Sequence, residues 1–163
     1  MISMDTKQVK ELTGLTDNQI SYLIKKVDLL KREKTQGKAR EYTFRDLVYL
    51  KLASIMRSDG LSLPEIDKAI KLLYRTWIFS ENPASAGSLL RADEADKNVA
   101  WYWGPMTVDE VFDANTSGER TEQITHIPGV MYNVAFIATE LSKRDQLEFN
   151  LMSEVGRSLE IAY

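Results

Sequence analysis

The sequence predicts an α+β protein: a mainly helical N-terminal winged helix-turn-helix followed by a small mixed α/β C-terminal domain. Three observations carry this expectation. Apolar residues between Val9 and Leu73 recur at spacings of three and four, the period of a helix face, and are punctuated by Gly14 and Gly60. Short runs rich in aromatic and β-branched residues appear beyond residue 88, which is strand chemistry. Charge divides along the same line: residues 1–73 carry 14 Lys and Arg against 10 Asp and Glu, and residues 74–163 carry 7 against 14, so a net charge of −3 splits into +4 and −7. The expected division is a domain over 1–79, a linker over 80–88 and an acidic domain over 89–163, the last serving dimerisation, an effector or a partner.

The elements follow in order. Asp5 or Thr6 caps a short helix with Val9 and Leu12 on one face, and Gly14 permits the reversal that ends it. Thr16-Asp17-Asn18-Gln19 has the form of a capping box and starts a second helix, in which Ile20, Leu23, Ile24 and Val27 turn inward against Val9, Leu12 and Leu15. Asp17, Asn18, Ser21, Tyr22, Lys25 and Lys26 are left outward, residue types that meet base edges and phosphates. Leu29 and Leu30 close the core. Lys31 to Tyr42 is basic and turned by Gly37, as in a β-hairpin wing, and from Lys25 to Arg45 eight basic residues face three acidic ones, a local balance of +5. Thr43 to Asp46 starts a third helix carrying Leu47, Leu50 and Ile55, and Gly60 ends it. Ser62 and Glu65 form another capping box, with Pro64 in a first turn where its missing N–H costs nothing, and Ile66, Ala69, Ile70, Leu73 and Trp77 make the apolar stripe of a fourth helix.

Ser80 to Ser88 is rich in small and turn-forming residues and reads as a linker. Asn98 to Trp103 reads as a buried strand stopped by Gly104-Pro105, Thr107 to Glu110 as the start of a short helix with Val108, Val111 and Phe112, and Asn115 to Glu119 as a turn. Glu122 to Ile127 and Met131 to Leu141 can pair as a hairpin across Pro128-Gly129; alternatively, Val130, Val134, Ile137 and Leu141 fit a helix face. Asp145 to Ile161 places Leu147, Leu151, Val155 and Leu159 every four residues, an amphipathic helix and the first candidate for a homodimer contact.

Composition excludes several chemistries. Cysteine is absent, so disulfides, thiolate metal sites and cysteine nucleophiles do not arise, and His126 is the only histidine. The acidic run Asp93 to Asp96 reads as a solvated loop. No metal site, cofactor or catalytic residue is expected: nucleophile motifs and phosphate-binding glycine loops are not found. No apolar run reaches the roughly 20 residues that span a bilayer, and the start lacks a signal-peptide pattern, so the expected location is cytoplasmic and nucleoid-associated, with no membrane partner. Trp101, Tyr102, Trp103 and Tyr132 are strand-core aromatics or, for Trp101, Trp103 and Tyr132, candidates to line a ligand pocket for a small-molecule effector.

Thr6 to Leu73 resembles the winged helix-turn-helix of the MerR family of transcriptional regulators. The likeness lies in Leu12 to Thr16 at the turn, Ile20-Ser21-Tyr22 in the reading helix, Leu29 to Arg32 entering the wing, Gly37 to Thr43 followed by Asp46-Leu47 and Leu50, and Gly60 to Ile66. Two positions depart from the pattern: Ser21 stands where the family usually has an arginine, and Lys25 to Leu29 lacks a glycine. The family's long dimerisation helix does not follow the fourth helix directly. The resemblance implies a sequence-specific regulator that binds double-stranded DNA as a homodimer on a palindromic site. Base reading or register setting falls to Asp17, Asn18, Gln19, Ser21 and Tyr22 with Thr16 at the cap. Phosphate contacts fall to Lys25, Lys26, Arg32, Lys34, Lys38 and Arg40, with Tyr42 at the wing's end. Two other readings stand beside it: an architectural or recombination-directing DNA-binding protein, and a protein-interaction adaptor that has lost DNA reading.

Overall fold

In the computed structural model, residues 4–31, 40–77, 83–93, 99–104, 126–127 and 129–144 are described. The first half is four helices, each opened by a side chain that satisfies an otherwise orphaned backbone N–H. Helix α1, Thr6–Thr13, has Asp5 as cap with Gln8 closing a reciprocal box, and ends on Gly14 at φ 72°. Helix α2, Asp17–Lys26, starts at the Thr16–Gln19 box. Helix α3, Phe44–Ser58, starts at a Thr43–Asp46 box, and α4, Leu63–Thr76, at the Ser62–Glu65 box with Pro64 in its first turn.

The exit from α2 needs no glycine. Val27 takes an ordinary extended conformation (φ −94°, ψ 120°), its side chain is fully buried, and a 3-10 turn over Asp28–Leu30 carries the chain away. Of the expected wing, residues 32–39 lie outside the described residues. Its far end is held where Tyr42 pairs with Met4, each backbone N–H donating to the other's carbonyl at 2.8 and 2.9 Å.

The stretch read as a linker is partly built into the body of the protein. Pro83–Ala86 forms a 3-10 turn, Ala86 is buried, and strand β1 opens at Ser88. Strand β1, Ser88–Asp93, is an element that sequence reading did not assign. It pairs antiparallel with β2, Val99–Gly104, and on its other side with β4, Met131–Asn133, which also takes β3, His126–Ile127, to give the order β2-β1-β4-β3.

Both alternatives for Met131 to Leu141 are realised in succession. The chain is strand over 131–133 and then helix α5 over 134–144, switched by Asn133, whose side-chain oxygen accepts the Phe136 N–H at 2.9 Å. Val134, Ile137 and Leu141 face inward as the helical spacing requires, whereas Val130 stays in the turn and is exposed. The expected helix from Thr107, the turn at Asn115 to Glu119 and the final helix from Asp145 to Ile161 lie outside the described residues.

One continuous apolar cluster joins the halves: Leu47, Leu50, Ile66, Ile70 and Leu73 of α3 and α4 belong to the same core as Leu89, Tyr132, Val134 and Leu141. Polar clamps fix the seam. Arg91 of β1 pairs with Glu65 of α4 at 2.7 Å, Tyr132 donates its hydroxyl to Asp59 at 2.7 Å, and Arg144 at the end of α5 donates to the Leu12 carbonyl at 3.3 Å.

Candidate nucleic-acid interface

Helix α2 presents a face built from its own periodicity. Ile20, Leu23 and Ile24 are buried, and every remaining residue from Asp17 to Lys26 is exposed. Ten residues at 1.5 Å per residue make a rod of about 15 Å, a length that enters a major groove about 12 Å wide.

The exposed residues divide by how much of their polar capacity the fold already uses. Thr16 and Gln19 are engaged with each other: the Thr16 N–H donates to Gln19 Oε1 at 2.8 Å and the Gln19 N–H to Thr16 Oγ1 at 3.3 Å, which fixes the helix start. Asp17 accepts from Lys10 Nζ at 2.7 Å, tying the start of α2 to α1. Asn18, Ser21 and Tyr22 are exposed, and Tyr22 is 41% exposed despite its ring. Lys25 and Lys26 sit in the last turn, where the helix dipole favours cations.

Beyond α2 the charge is organised rather than scattered. Lys31 and Lys71 both pair with Asp28, and Lys71 also pairs with Asp67. These contacts, Lys31 first, hold the Asp28 carboxyl down at about 2. The Asp28 N–H donates to Asp67 Oδ1 at 2.9 Å, so the exit from α2 is laced to α4. Lys31 is thereby neutralised locally. Arg32, Lys34 and Lys38 lie outside the described residues; Arg40 is described and half-buried. Tyr42 is a correction to the expected interface: at 4% exposure it is a core residue that anchors the wing's end against Met4, so its ring is not offered to DNA.

Three residues that sequence reading missed complete the surface. Ser54, Arg57 and Ser58 of α3 line, with Gln19, Tyr22 and Leu23, a groove of about 170 Å³ beside the reading helix. Their signal was faint: polar residues one helical turn apart ahead of Gly60, unremarkable until α3 is laid against α2. Arg57 donates to the Leu61 carbonyl at 3.0 Å, which holds the side chain across the α3–α4 turn.

Residues 4–73 match the family model described as MerR HTH family regulatory protein. This region is a MerR-family helix-turn-helix domain. No curated protein matches the chain significantly. Within the MerR-family domain the arginine expected at position 21 is replaced by an exposed serine, and the nearest cations on the same helix are Lys25 and Lys26, one turn on.

The aromatic candidates of the second half pack against each other and the core. Tyr132 is fully buried with its ring centroid 6.1 Å from that of Trp101, and Trp103 Nε1 donates to the Ala86 carbonyl at 2.8 Å. Burial and the Asp59 carboxylate push the Tyr132 hydroxyl far above its ordinary value, so it stays a donor. Tyr102 alone of this group faces outward, at 52% exposure. Among the described residues no helix is long and apolar enough to cross a membrane, and no three acidic or histidine side chains gather as metal ligands.

Proposed function

We propose that the protein is a sequence-specific, DNA-binding transcriptional regulator in which α2 enters the major groove and the basic segment from Lys31 to Tyr42 lies along the phosphate backbone. The observation that carries this reading is the exposed face of α2, where Asn18, Ser21 and Tyr22 project together and Lys25 and Lys26 follow on the next turn. Asn and Ser read base edges by hydrogen bonds, a tyrosine ring meets the thymine methyl, and lysines neutralise phosphates. One short reading helix covers one half-site, so two copies on a palindrome are the corresponding assembly, and the acidic second half is the part that faces an effector or partner. The proposed role is binding, not catalysis.

Selection of bound genomic fragments, followed by salt titration of wild type and a Lys25→Ala, Lys26→Ala double variant, tests the reading. If both lysines touch phosphates, the slope of log K against log salt shrinks by about 1.8. Affinity for selected fragments no greater than for a random duplex would instead support the adaptor reading.

A further inference from the structure

Two cations from separate elements meet at the turn that leads into the reading helix. Lys51 of α3 donates to the Thr13 carbonyl at 2.8 Å, and Arg144, the last described residue of α5, donates to the neighbouring Leu12 carbonyl at 3.3 Å. Both carbonyls belong to the open C-terminal end of α1, four and five residues ahead of Asp17. Helix C-termini attract cations, which explains one of the two. A second like charge beside it works against the first: burial and then the Arg144 charge lower the Lys51 ammonium below its ordinary value.

Among the described residues the nearby acids do not relieve this repulsion. Asp17 is bound by Lys10, Glu11 by Lys7 and Glu140 by Lys143. Each of the two cations uses one of its donors on a carbonyl, leaving two on Lys51 and four on Arg144. The arrangement is a fixed, donor-rich positive site that an anion would complete.

Its place along α2 identifies the anion. Lys25, Lys26 and Lys31 lie at or just beyond the C-terminal end of α2; Lys51 and Arg144 gather at its N-terminal end, about 15 Å away. A helix lying in a major groove about 12 Å wide has a phosphate strand bordering each side. We propose that Lys51 and Arg144 form a second phosphate clamp, which grips the DNA strand across the groove from the one held by Lys25, Lys26 and the wing. The inference rests on the DNA-binding reading above and extends the interface to α5, outside the segment that matches the MerR family.

The test uses the full chain, a short random-sequence duplex, and the variants Arg144→Gln and Lys51→Gln/Arg144→Gln, which retain a donor for each carbonyl but remove the charge. Non-specific duplex binding is governed by phosphate neutralisation, so the operator need not be known. The salt slope should shrink by about 0.9 in the single variant and about 1.8 in the double, equivalent to about 3.5-fold less affinity loss per contact between 50 and 200 mM salt. Melting temperatures should stay at the wild-type value. An unchanged slope, with or without a fall in affinity, overturns the clamp and leaves the pair as helix-end caps. Saturable inorganic phosphate binding that is lost in Arg144→Gln while the duplex slope is unchanged makes it a small-anion site and also overturns the clamp. Absence of salt-dependent duplex binding in the wild type would instead remove the regulatory reading itself.

Discussion

Replacing Tyr132 by phenylalanine removes one oxygen from the seam between the helix-turn-helix and the sheet. The Tyr132 side chain is fully buried, its hydroxyl donates to Asp59 Oδ2 at 2.7 Å, and the Gly129 N–H reaches both that hydroxyl at 3.1 Å and the carboxylate at 3.2 Å. Phenylalanine keeps the ring contact with Trp101, so the change removes what the hydroxyl contributes, its bond to Asp59 foremost. A bond to a charged acceptor contributes roughly 1.5–3 kcal/mol. For a chain of 163 residues, each kcal/mol moves the melting temperature by about 2–4 °C, so a loss near 2 kcal/mol lowers it by about 4–8 °C. Thermal melts followed by far-UV circular dichroism and by tryptophan fluorescence supply the measurement. A double-mutant cycle with Asp59→Asn separates this pair from the other contacts of Asp59. A shift under about 1 °C, with no coupling in the cycle, would show that the Tyr132–Asp59 bond contributes nothing to holding the seam.

Gly87→Ala should lower the unfolding free energy measured by urea titration by more than about 2 kcal/mol, because φ is +65° and a Cβ there would stand 2.2 Å from the Gly104 carbonyl oxygen and 2.8 Å from Trp103 Nε1. Gly14→Ala, at φ +72° with open space around it, should cost only the left-handed backbone penalty of about 1–2 kcal/mol, and equal losses at the two sites would refute the steric argument. Acid should destabilise the protein in a defined window. The Ser62 hydroxyl and then Arg91 hold the Glu65 carboxyl at about 2, below its ordinary 4.5, so its contribution is complete above about pH 5 and disappears as the pH falls toward 2. In Glu65→Gln the melting temperature should fall less steeply across that window than in wild type; parallel curves would remove Glu65 as a source of the acid sensitivity.

The four helices of the first half were legible because their signals are local. A Thr, Ser or Asp followed three residues later by Gln, Asp or Glu is visible in the sequence, and at Asp5, Thr16, Thr43 and Ser62 that box starts a helix. The switch at Asn133 is equally local: an asparagine ahead of Val134 is a helix cap, and it decides between a strand and a helix pattern that hydrophobic spacing alone left balanced. Strand β1 was hidden because nothing in Ser-Leu-Leu-Arg-Ala-Asp alternates cleanly; its ordering comes from β2 on one side and β4 on the other, partners 6 to 45 residues away. Tyr42 was misplaced for the same reason. An aromatic at the end of a basic segment reads as a contact residue, and only its pairing with Met4, 38 positions earlier, turns it inward. The face of α2 was legible down to individual residues, but the division between Gln19 or Asp17, already hydrogen-bonded, and Asn18, Ser21 or Tyr22, still open, required coordinates.

The charge division acquires a mechanical meaning from the seam. An acidic half with seven basic and 14 acidic residues would be repelled by DNA if it hung freely beside the reading helix. Here it is fastened at several points: Glu65 takes Arg91, Asp59 takes Tyr132, and a shared apolar core runs beneath them. Among its described cations, Arg91 and Lys143 are spent on Glu65 and Glu140 and Arg75 lies exposed in the last turn of α4, whereas Arg144 is delivered to the turn before α2. On the proposed function, an acidic body fastened in this way, with the Arg144 guanidinium at the N-terminal end of α2, orients the molecule in the field of the duplex before any base is touched. Loosening the seam should therefore slow association with DNA as well as lower stability: Tyr132→Phe, measured by stopped flow at low salt and at a temperature where the variant is folded, should lose on-rate while Lys143→Gln, an exposed cation already paired with Glu140, should not. Equal on-rates for Tyr132→Phe and wild type would mean that the acidic half has no part in steering.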